Sequence, residues 1–387
     1  MKIINKGKLP ILSWCNNPDE ECLKQATNLS NFPFAYPHIC LMPDTHVGFG
    51  MPIGGVVGLD GVISPNMVGV DIGCGMCAVK TSLTDIDQSS LKKVLSFIRE
   101  WIPLGFKHHQ KKSMPDATFL PNVDIGDLPI VSEQNKTLLE QLGTLGSGNH
   151  FIEIQKGDDG HIWFMLHSGS RNLGLKVANH HNKIAIKLNE KMLPQVPKEW
   201  QLAYLLLNSN EGQLYLKEMN YCLEFAKSNR QIMALRIKEA FIEITKAKIL
   251  QEVNIHHNYA HIENHFNKNL VVHRKGATSA FLHELGIIPG SQGTPSYIVE
   301  GKGNHLSFMS CSHGAGRVMG REEAKRNLNL EFEKKRLDDL GIIHAIRNKN
   351  ALDEAPSAYK NIEEVMAEQQ DLVLPIIKLL PLAVIKG

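Results

Sequence analysis

Short apolar segments separated by Gly and Pro recur along much of the chain. Residues 39–81 contain ICLMP, PIGGVVGL, MVGVDIG and MCAVKT, and later segments of the same kind are FIEI, HIWFMLH, LVVH, SYIVEG and HLSFMSC. Apolar runs of this length, bounded by turn residues, are typical of buried strands. We therefore expect a sheet core built from these segments.

Helical periodicity is found in other parts of the chain. Gly212–Gln251 carries apolar side chains at steps of three and four residues, which predicts a long helix with one buried face. We expect the Met and aromatic side chains of this helix to pack in the core. Three shorter helices are expected at Ser90–Trp101, Leu173–Asn189 and Glu322–Leu340.

The two patterns together predict an α+β protein with a mixed or antiparallel β-sheet core and surrounding helices. Candidate ligands come from segments far apart in the chain, so division into independent units is not expected. We predict one large domain over residues 1–387, with a mainly helical insertion at about 190–250.

Composition narrows the class of protein. The apolar content of 43% supports a sizeable core. The chain contains no uninterrupted apolar stretch of roughly 18 residues, so no membrane span is predicted. The N-terminus lacks the apolar segment and cleavage site of a signal peptide. The seven cysteines are an odd number without framework spacing, which indicates a reducing setting. We expect a cytoplasmic protein that does not bind a membrane.

The net charge of +2 does not identify a partner. A dedicated nucleic-acid module usually carries a strongly basic balance, so a polyanion site here must be a local cluster. The segment KHHQKK at residues 107–112 is one candidate. A solvated loop is the interpretation that we favour for it.

Residues of metal-binding types occur in Gly-, Ser- or Asn-rich surroundings, most of them beside an apolar segment. These are Asp71, Cys74, His150, His167, His257 and His313. Carboxylate, thiolate and imidazole together suit Mn²⁺, Zn²⁺, Fe²⁺ or Co²⁺ better than Mg²⁺ or Ca²⁺, which prefer oxygen. The sequence therefore indicates a metalloenzyme whose loops converge on one pocket.

The segment DIGCGMC has competing interpretations. Cys74 and Cys77 have the spacing of a redox pair or of half a zinc ribbon. No second pair exists, and the segment continues as a strand rather than a helix, which disfavours both. A turn at Gly73 and Gly75 would let Asp71 and Cys74 chelate together and leave Cys77 in the core. We prefer that interpretation.

The segment SCSHGAGRVMGR surrounds His313 with small residues and places Arg317 and Arg321 after it. A Gly-rich turn into a helix offers backbone N–H groups to an anion, and the arginines could bind phosphate through paired hydrogen bonds. A plain strand-to-helix turn explains the motif equally well when it is taken alone. No segment matches the GxxxxGK[ST] pattern, which disfavours a Walker-type NTPase.

Taken together, PDTHVGFGMPIGG, VDIGCGM, GSGNHFIE, HSGSRNLG, HHN, GSQGTPSY, SCSHGAGR and the final VIKG closely resemble the RtcB family of RNA ligases. The likeness runs in order from about residue 38 to the last residue. It implies the RtcB-like fold and a reaction that joins an RNA 3′-phosphate or 2′,3′-cyclic phosphate to a 5′-hydroxyl, in RNA repair or tRNA splicing. It also implies dependence on GTP and on two Mn²⁺ ions, and leaves open an activating protein partner.

The resemblance also assigns roles to single residues. His313 would attack the α-phosphate of GTP and carry GMP covalently. Asp71, Cys74, His150, His167 and His257 would bind the metal ions, with Cys74 bridging them. The nucleotide-binding positions would be Asn149, Phe151, Glu153, Ser291, Ser296, Gly314, Ala315, Gly316, Tyr359 and Lys386. Arg171, Arg317 and Asn149 would contact phosphate, and Asp44 would orient His313 or Arg317.

Two alternatives remain at this point. A two-metal phosphoesterase that opens cyclic phosphates without ligation would need the metal ligands but not His313 or Lys386. A non-catalytic protein that binds RNA ends would keep the fold without using a bridging thiolate.

Overall fold

The computed structural model describes residues 1–387. The strands, in chain order, are β1 Lys2–Ile4, β2 Ile11–Ser13, β3 Ala35–His46, β4 Ile53–Leu59, β5 Val62–Ile63, β6 Gly75–Thr81, β7 Phe151–Gly157, β8 Ile162–Ser168, β9 Leu205–Leu206, β10 Ile249–His256, β11 Asn258–His265, β12 Lys268–Lys275, β13 Ala277–Ser279, β14 Leu285–Ile288, β15 Ser296–Gly301, β16 Ser310–Ser312 and β17 Val373–Lys386. The α-helices are α1 Glu20–Ser30, α2 Pro65–Val68, α3 Gln88–Trp101, α4 Pro129–Gln141, α5 Arg171–Asn189, α6 Asn210–Thr245, α7 Arg321–Asn327, α8 Leu330–Asp339 and α9 Ile362–Glu368.

Two large sheets form the framework. One has seven strands in the order β10-β6-β8-β7-β17-β15-β14, all antiparallel to their neighbours. The other has six strands in the order β1-β2-β3-β4-β12-β11, with only β2 and β3 parallel. With the helices packed around them, the sheets confirm the predicted α+β class with a mixed and antiparallel core.

The seven-stranded sheet is covered by α6 on one face. The buried cluster at this contact contains Val79 and Phe164 from the sheet and Met233 and Phe241 from the helix, all fully buried. The rings of Phe164 and Phe241 stack with centroids 5.6 Å apart. Ser209 starts α6 by accepting the N–H of Gly212, a side-chain cap that satisfies a free helix donor. The Met and aromatic side chains of α6 therefore pack in the core, as predicted.

Antiparallel pairing brings the candidate ligands to one end of this sheet. Gly75 at the start of β6 pairs with Ser168 at the end of β8, and also with His256 at the end of β10. Phe151 at the start of β7 pairs with His167 and with Lys386 at the end of β17. In an antiparallel sheet, one strand starts at the end of the sheet where its neighbour finishes. Segments that are widely separated in sequence therefore meet there.

The two sheets are joined at a single residue beside this edge. The chain leaves the seven-stranded sheet at His256 and enters the six-stranded sheet at Asn258, so that His257 lies at the crossing. The N–H of His257 donates to the carbonyl of Cys74 at 2.8 Å, which fixes the crossing against the turn before β6.

Most predicted elements are present, but four expectations are wrong in part. MVGVDIG is not a strand: its first residues end α2 and the rest forms a turn. The long helix ends at Thr245, and the chain turns at Lys246 into β10. The helix expected at 322–340 is broken between α7 and α8. HLSFMSC forms a strand only from Ser310, because a 3-10 turn occupies His305–Ser307.

No helix has both the length and the apolar content needed to cross a membrane.

Candidate active site

Five side chains converge at the edge of the seven-stranded sheet. Cys74 Sγ lies 3.1 Å from His167 Nε2 and 3.5 Å from His150 Nε2. Asp71 Oδ2 lies 3.2 Å from His150 Nε2, and His257 Nε2 lies 3.2 Å from His167 Nε2. The three ligand atoms of Cys74, His150 and His167 form a group that could hold a metal ion.

A turn places Asp71 and Cys74 on the same side of the chain. The N–H of Cys74 donates to the carbonyl of Asp71 at 3.1 Å, and Gly73 has a φ of +74°. This left-handed conformation favours glycine, and a Cβ at Gly73 would also lie 2.9 Å from the side chain of Ala226. Cys77 is fully buried in the core beneath the sheet. The turn is therefore of the kind preferred from the sequence, with Cys77 away from the cluster.

Backbone carbonyls orient two of the imidazoles. Nδ1 of His150 lies 2.9 Å from the carbonyl of Leu145, and Nδ1 of His167 lies 3.2 Å from that of Asn149. When these Nδ1 atoms donate, both Nε2 atoms carry lone pairs that point into the cluster. This is the arrangement that metal-binding histidines usually have. His257 differs, because its buried Nδ1 has no partner.

Electrostatics in the cluster favour a bound cation. Burial, followed by the neighbouring His150, holds the pKa of His167 well below its usual range, so that the ring is neutral. Burial opposes ionisation of Asp71, but the hydrogen bond and charge of His150 outweigh it and lower the pKa of Asp71 to about 2. The ionised Asp71 carboxylate therefore accepts a hydrogen bond from His150 Nε2 at 3.2 Å, and a bound cation would take the place of that shared proton. Burial, and then Asp71, raise the pKa of the Cys74 thiol well above its usual range. A cation would stabilise the neighbouring carboxylate of Asp71 and the thiolate of Cys74 together.

His313 follows β16 and lies beside this cluster, with its ring centroid 4.9 Å from that of His257. Its Nδ1 lies 2.6 Å from Oδ2 of Asp44, which is fully buried. The same oxygen accepts the backbone N–H groups of His313 and Gly314 at 3.1 and 3.2 Å. Asp44 therefore holds His313 with Nδ1 as the donor, so that Nε2 is the atom with the free lone pair in the neutral ring. The side chain of His313 is 18% exposed, enough for a reactant to reach it.

A single large cavity of about 1750 Å³ contains this cluster. Of the predicted site residues, its lining includes Asp71, Cys74, Asn149, Phe151, Glu153, His167, His257, Ser291, His313, Gly314, Ala315, Gly316, Arg317, Tyr359 and Lys386. We name two groups of its lining residues. Phe151, Glu153, Ser291, Tyr359 and Lys386 are called the first arm; Phe49, Val70, Asn179 and Ile186, which also line the cavity, are called the second arm.

Four predicted residues lie just outside the lining. His150 and Asp44 stand behind the residues that they contact. Ser296 accepts the N–H of Gly290 at 3.1 Å and so supports the loop that carries Ser291. Arg171 is placed behind His150, with Nη1 3.3 Å from His150 Nδ1, rather than facing the cavity.

The first arm is organised around Glu354, which the sequence did not single out. Its carboxylate accepts from Tyr359 at 2.6 Å, from Lys386 at 2.9 Å and from Arg317 at 3.2 Å. Nε and Nη2 of Arg317 donate to backbone carbonyls, and Nη1 also donates to Tyr359 Oη at 3.2 Å, so this arginine is held by the protein. Lys386 Nζ also lies 5.5 Å above the ring of Phe151. The arm therefore combines an aromatic face with a network of charges.

Burial raises the pKa of Glu153 in this arm to about 8, with the hydrogen bond from Gln155 and the charge of Lys386 opposing the shift. The side chain is 3% exposed, and Gln155 Nε2 donates to it at 2.6 Å. Its second carboxylate oxygen makes no hydrogen bond in the protein. A buried acceptor of this kind can bind the N–H edge of a base.

Arg230 of α6 is a second residue that the sequence did not identify. It is fully buried and donates to the carbonyls of Gly73 and Ser168 at 2.9 and 3.1 Å, and to Asn254 at 2.7 Å. Gly73 precedes Cys74, and Ser168 follows His167. Arg230 therefore clamps the two segments that carry these side chains. It occupies an ordinary position in a helical pattern, and no local motif distinguishes it.

Comparison with known proteins gives a consistent result. The family model described as "tRNA-splicing ligase RtcB" matches residues 25–126 and 125–387. "RNA-splicing ligase RtcB" of Escherichia coli strain K12 is 36% identical over 409 residues, which cover 100% of this chain and 99% of the relative. "tRNA-splicing ligase RtcB" of Methanococcus maripaludis is 33% identical, with coverage of 96% and 92%. "RNA-splicing ligase RtcB" of Mycobacterium tuberculosis is 31% identical, with coverage of 94% and 100%.

Proposed function

The chain belongs to the RtcB family and is an RNA ligase that acts in tRNA splicing or RNA repair, and we propose that it joins RNA 3′-phosphate or 2′,3′-cyclic phosphate ends to 5′-hydroxyl ends at the expense of GTP. The observation that carries this proposal is the contact between the buried Asp44 and the partly exposed His313, beside a cluster that could hold a metal ion. A phosphoesterase would not require a histidine held in this way.

The donor set fits divalent transition-metal ions. Asp71, Cys74, His150, His167 and His257 are the residues that would hold them, and we propose that the ions are two Mn²⁺. Thiolate and imidazole would also bind Zn²⁺ more tightly than Mn²⁺, so the choice of Mn²⁺ depends on family resemblance. The ions would supply positive charge to stabilise the oxygens that attack and leave phosphorus.

The residues of the chain prepare His313 for attack on GTP. Nδ1 is held by Asp44, so Nε2 presents its lone pair to the cavity. We propose that Nε2 forms a bond to the α-phosphorus while pyrophosphate departs. Ala315, Gly316 and Asn149 also line the cavity, and the backbone N–H groups of the first two and the side-chain amide of Asn149 would contact the phosphate oxygens.

The first arm would hold the guanine base. Phe151 offers a ring face, and Glu153 offers a carboxylate for the N1–H and 2-amino donors of guanine. Lys386, Tyr359 and Ser291 complete the pocket. Because Arg317 is bound to Glu354, we propose that it positions this network and that Arg321, whose side chain is 45% exposed, is the freer cation toward phosphate.

GMP would then pass from His313 to the RNA 3′-phosphate, which converts a poor electrophile into an activated one. The 5′-hydroxyl attacks that phosphorus and releases GMP. A cyclic phosphate is first opened by hydrolysis. All seven cysteines are unpaired, in keeping with the cytoplasmic location that we propose.

The test supplies the protein with GTP, Mn²⁺ and a nicked RNA that has a 3′-phosphate and a 5′-hydroxyl. We expect joined RNA, together with a protein adduct of the mass of GMP that is lost in His313→Ala. Opening of a cyclic phosphate without adduct or joining would identify a phosphoesterase instead. RNA binding with neither reaction would identify a non-catalytic protein.

A further inference from the structure

Lys360 is a half-buried cation that no step of the proposed reaction uses. It follows Tyr359, lies just before α9 and does not line the cavity. Its Nζ donates to the carbonyls of Pro43 and Thr45 at 3.0 and 2.6 Å and to Cys15 Sγ at 3.7 Å. A lysine ammonium has three N–H donors, so the protein occupies all of them, and none of the acceptors is a carboxylate. This complete pairing fixes the ammonium in one place.

Lys360 contacts both partners of the pair formed by Asp44 and His313. The two carbonyls that its ammonium binds stand on either side of Asp44 in the chain. Its backbone N–H donates to the carbonyl of Gly316 at 2.9 Å, and Gly316 ends the segment HGAG that starts at His313. Gly316 has a φ of +73°, and a Cβ at this position would collide with the carbonyl of Asp44. Lys360 therefore joins the end of β3, which carries Asp44, to the loop that carries His313.

Asp44 depends on such support because one of its carboxylate oxygens is unpaired. Oδ2 accepts from Nδ1 and the N–H of His313 and from the N–H of Gly314, whereas the buried Oδ1 has no hydrogen-bond partner. The orientation of the carboxylate is thus set by one oxygen and by the backbone around it. Burial raises the pKa of this carboxyl, whereas the charge of His313 and, more weakly, that of Lys360 lower it. Lys360 therefore contributes to both the position and the ionisation of Asp44.

We propose that Lys360 is a positioning residue for the transfer of GMP to His313, acting through Asp44 without touching GTP. The inference rests on the proposed ligase function. In this step Nε2 of His313 forms a bond to the α-phosphorus, and pyrophosphate leaves with the electron pair of the bond that breaks. Nδ1 keeps its proton, so the ring gains a positive charge. An ionised and aligned Asp44 stabilises that charge, and Lys360 keeps Asp44 in this state.

The experiment compares wild type with Lys360→Met, which keeps an apolar stem but removes the charge and all three donors. It measures the rate of GMP-adduct formation at saturating GTP and Mn²⁺, and the GTP concentration that gives half of that rate. We expect the rate to fall about 10- to 100-fold, as for the loss of hydrogen bonds from a charged group. The half-saturating GTP concentration should stay unchanged, which is typical of a group that acts on the reacting step alone. Lys360→Arg, which keeps a cation with several donors, should recover most of the rate.

Lys156→Met is the matched control. Lys156 is also half-buried, and its Nζ also donates to two backbone carbonyls, those of Thr84 and Gly160. It lies at the end of β7 away from Phe151 and the cluster. Lys156→Met should therefore form the adduct at the wild-type rate.

The affinity for Mn²⁺, measured by titration calorimetry, shows whether each variant keeps a folded site. An unchanged rate in Lys360→Met would overturn the proposal. So would a rise in half-saturating GTP as large as the fall in rate, an equal loss in Lys156→Met, or a Lys360→Arg protein that binds Mn²⁺ normally but reacts as slowly as Lys360→Met. Failure of the wild-type protein to form the adduct would instead contradict the proposed function, so the two failures are distinguishable.

Discussion

Oδ2 of Asp44 lies 2.6 Å from Nδ1 of His313 and also accepts the backbone N–H of the same residue. Burial opposes ionisation of Asp44, but His313 outweighs it, so the pKa of this carboxyl lies below its usual value. The carboxylate fixes both the orientation and the tautomer of the ring. This relationship would let an ordinary imidazole present Nε2 to the GTP that we propose as its substrate.

Replacing Asp44 should therefore slow formation of the His313 adduct. Asp44→Asn keeps the size of the side chain but favours the wrong tautomer. We expect the rate of GMP-adduct formation to fall by about 10²- to 10⁴-fold, as for the analogous change in a serine-protease triad. Quenched-flow mass spectrometry measures the rate. Asp60→Asn, which affects only an exposed pair with Lys268, should leave it unchanged; an equal loss in both variants would contradict the assignment.

Removal of the Cys74 thiolate should weaken metal binding. Cys74 lies between His150 and His167, so Cys74→Ser replaces the central soft ligand with a poor one. We expect titration calorimetry to show that Mn²⁺ binds at least about 100-fold more weakly. Cys77→Ala supplies the control, because that thiol is buried in the core beneath the sheet. Equal Mn²⁺ affinity in wild type and Cys74→Ser would rule out a role as ligand.

GTP binding should depend on pH through Glu153. The pKa of this buried carboxyl is raised to about 8, so it is protonated at lower pH and cannot accept from the base. Affinity for GTP should therefore increase as pH rises toward 8 and level off above it, because only the ionised form accepts from both guanine donors. Equilibrium binding of a fluorescent GTP analogue at several pH values measures this. Glu153→Gln should show a flat profile, and a slope that persists there must come from another group.

Arg230 should contribute to both stability and metal affinity. Arg230→Met leaves the buried carbonyls of Gly73 and Ser168 without donors, and we expect a loss of about 3 kcal/mol in the free energy of unfolding. Chemical denaturation measures the loss, and titration with Mn²⁺ should show weaker binding. Arg236→Met on the same helix removes a guanidinium that is 35% exposed and should cost less than about 1 kcal/mol. If the two variants lost a similar free energy of unfolding, the burial of Arg230 would not be important for stability.

Much of the fold could be predicted because the apolar segments reflect burial directly. FIEI and HIWFMLH form β7 and β8. A strand that is covered on both faces is made mainly of apolar residues, so its sequence alone predicts it. MVGVDIG does not form the strand that we expected, because its apolar residues lie in two different environments. Met67 and Val68 are buried in α2, whereas Val70 is 51% exposed in the second arm. Burial alone does not distinguish a strand from a turn that carries ligands.

The residues of the candidate site could be predicted where they lie in glycine-rich motifs. They could not be predicted where their role depends on tertiary contacts. Asp71, Cys74 and His313 stand in local patterns. Glu354 does not, because its importance arises from three partners that reach it from positions 317, 359 and 386. Arg230 likewise acquires its role only when α6 packs behind the turn at Gly73. Such residues become visible only through the folded geometry.

The place of β17 in the sheet has a consequence for biosynthesis. This strand fills the space between β7 and β15, and it places Lys386 beside Glu354 in the first arm of the cavity. A nascent polypeptide contains all five candidate metal ligands well before that strand emerges from the ribosome. It cannot complete the proposed guanine pocket until then. Polypeptides that terminate before residue 373 should therefore not react with GTP and should not act on cellular RNA.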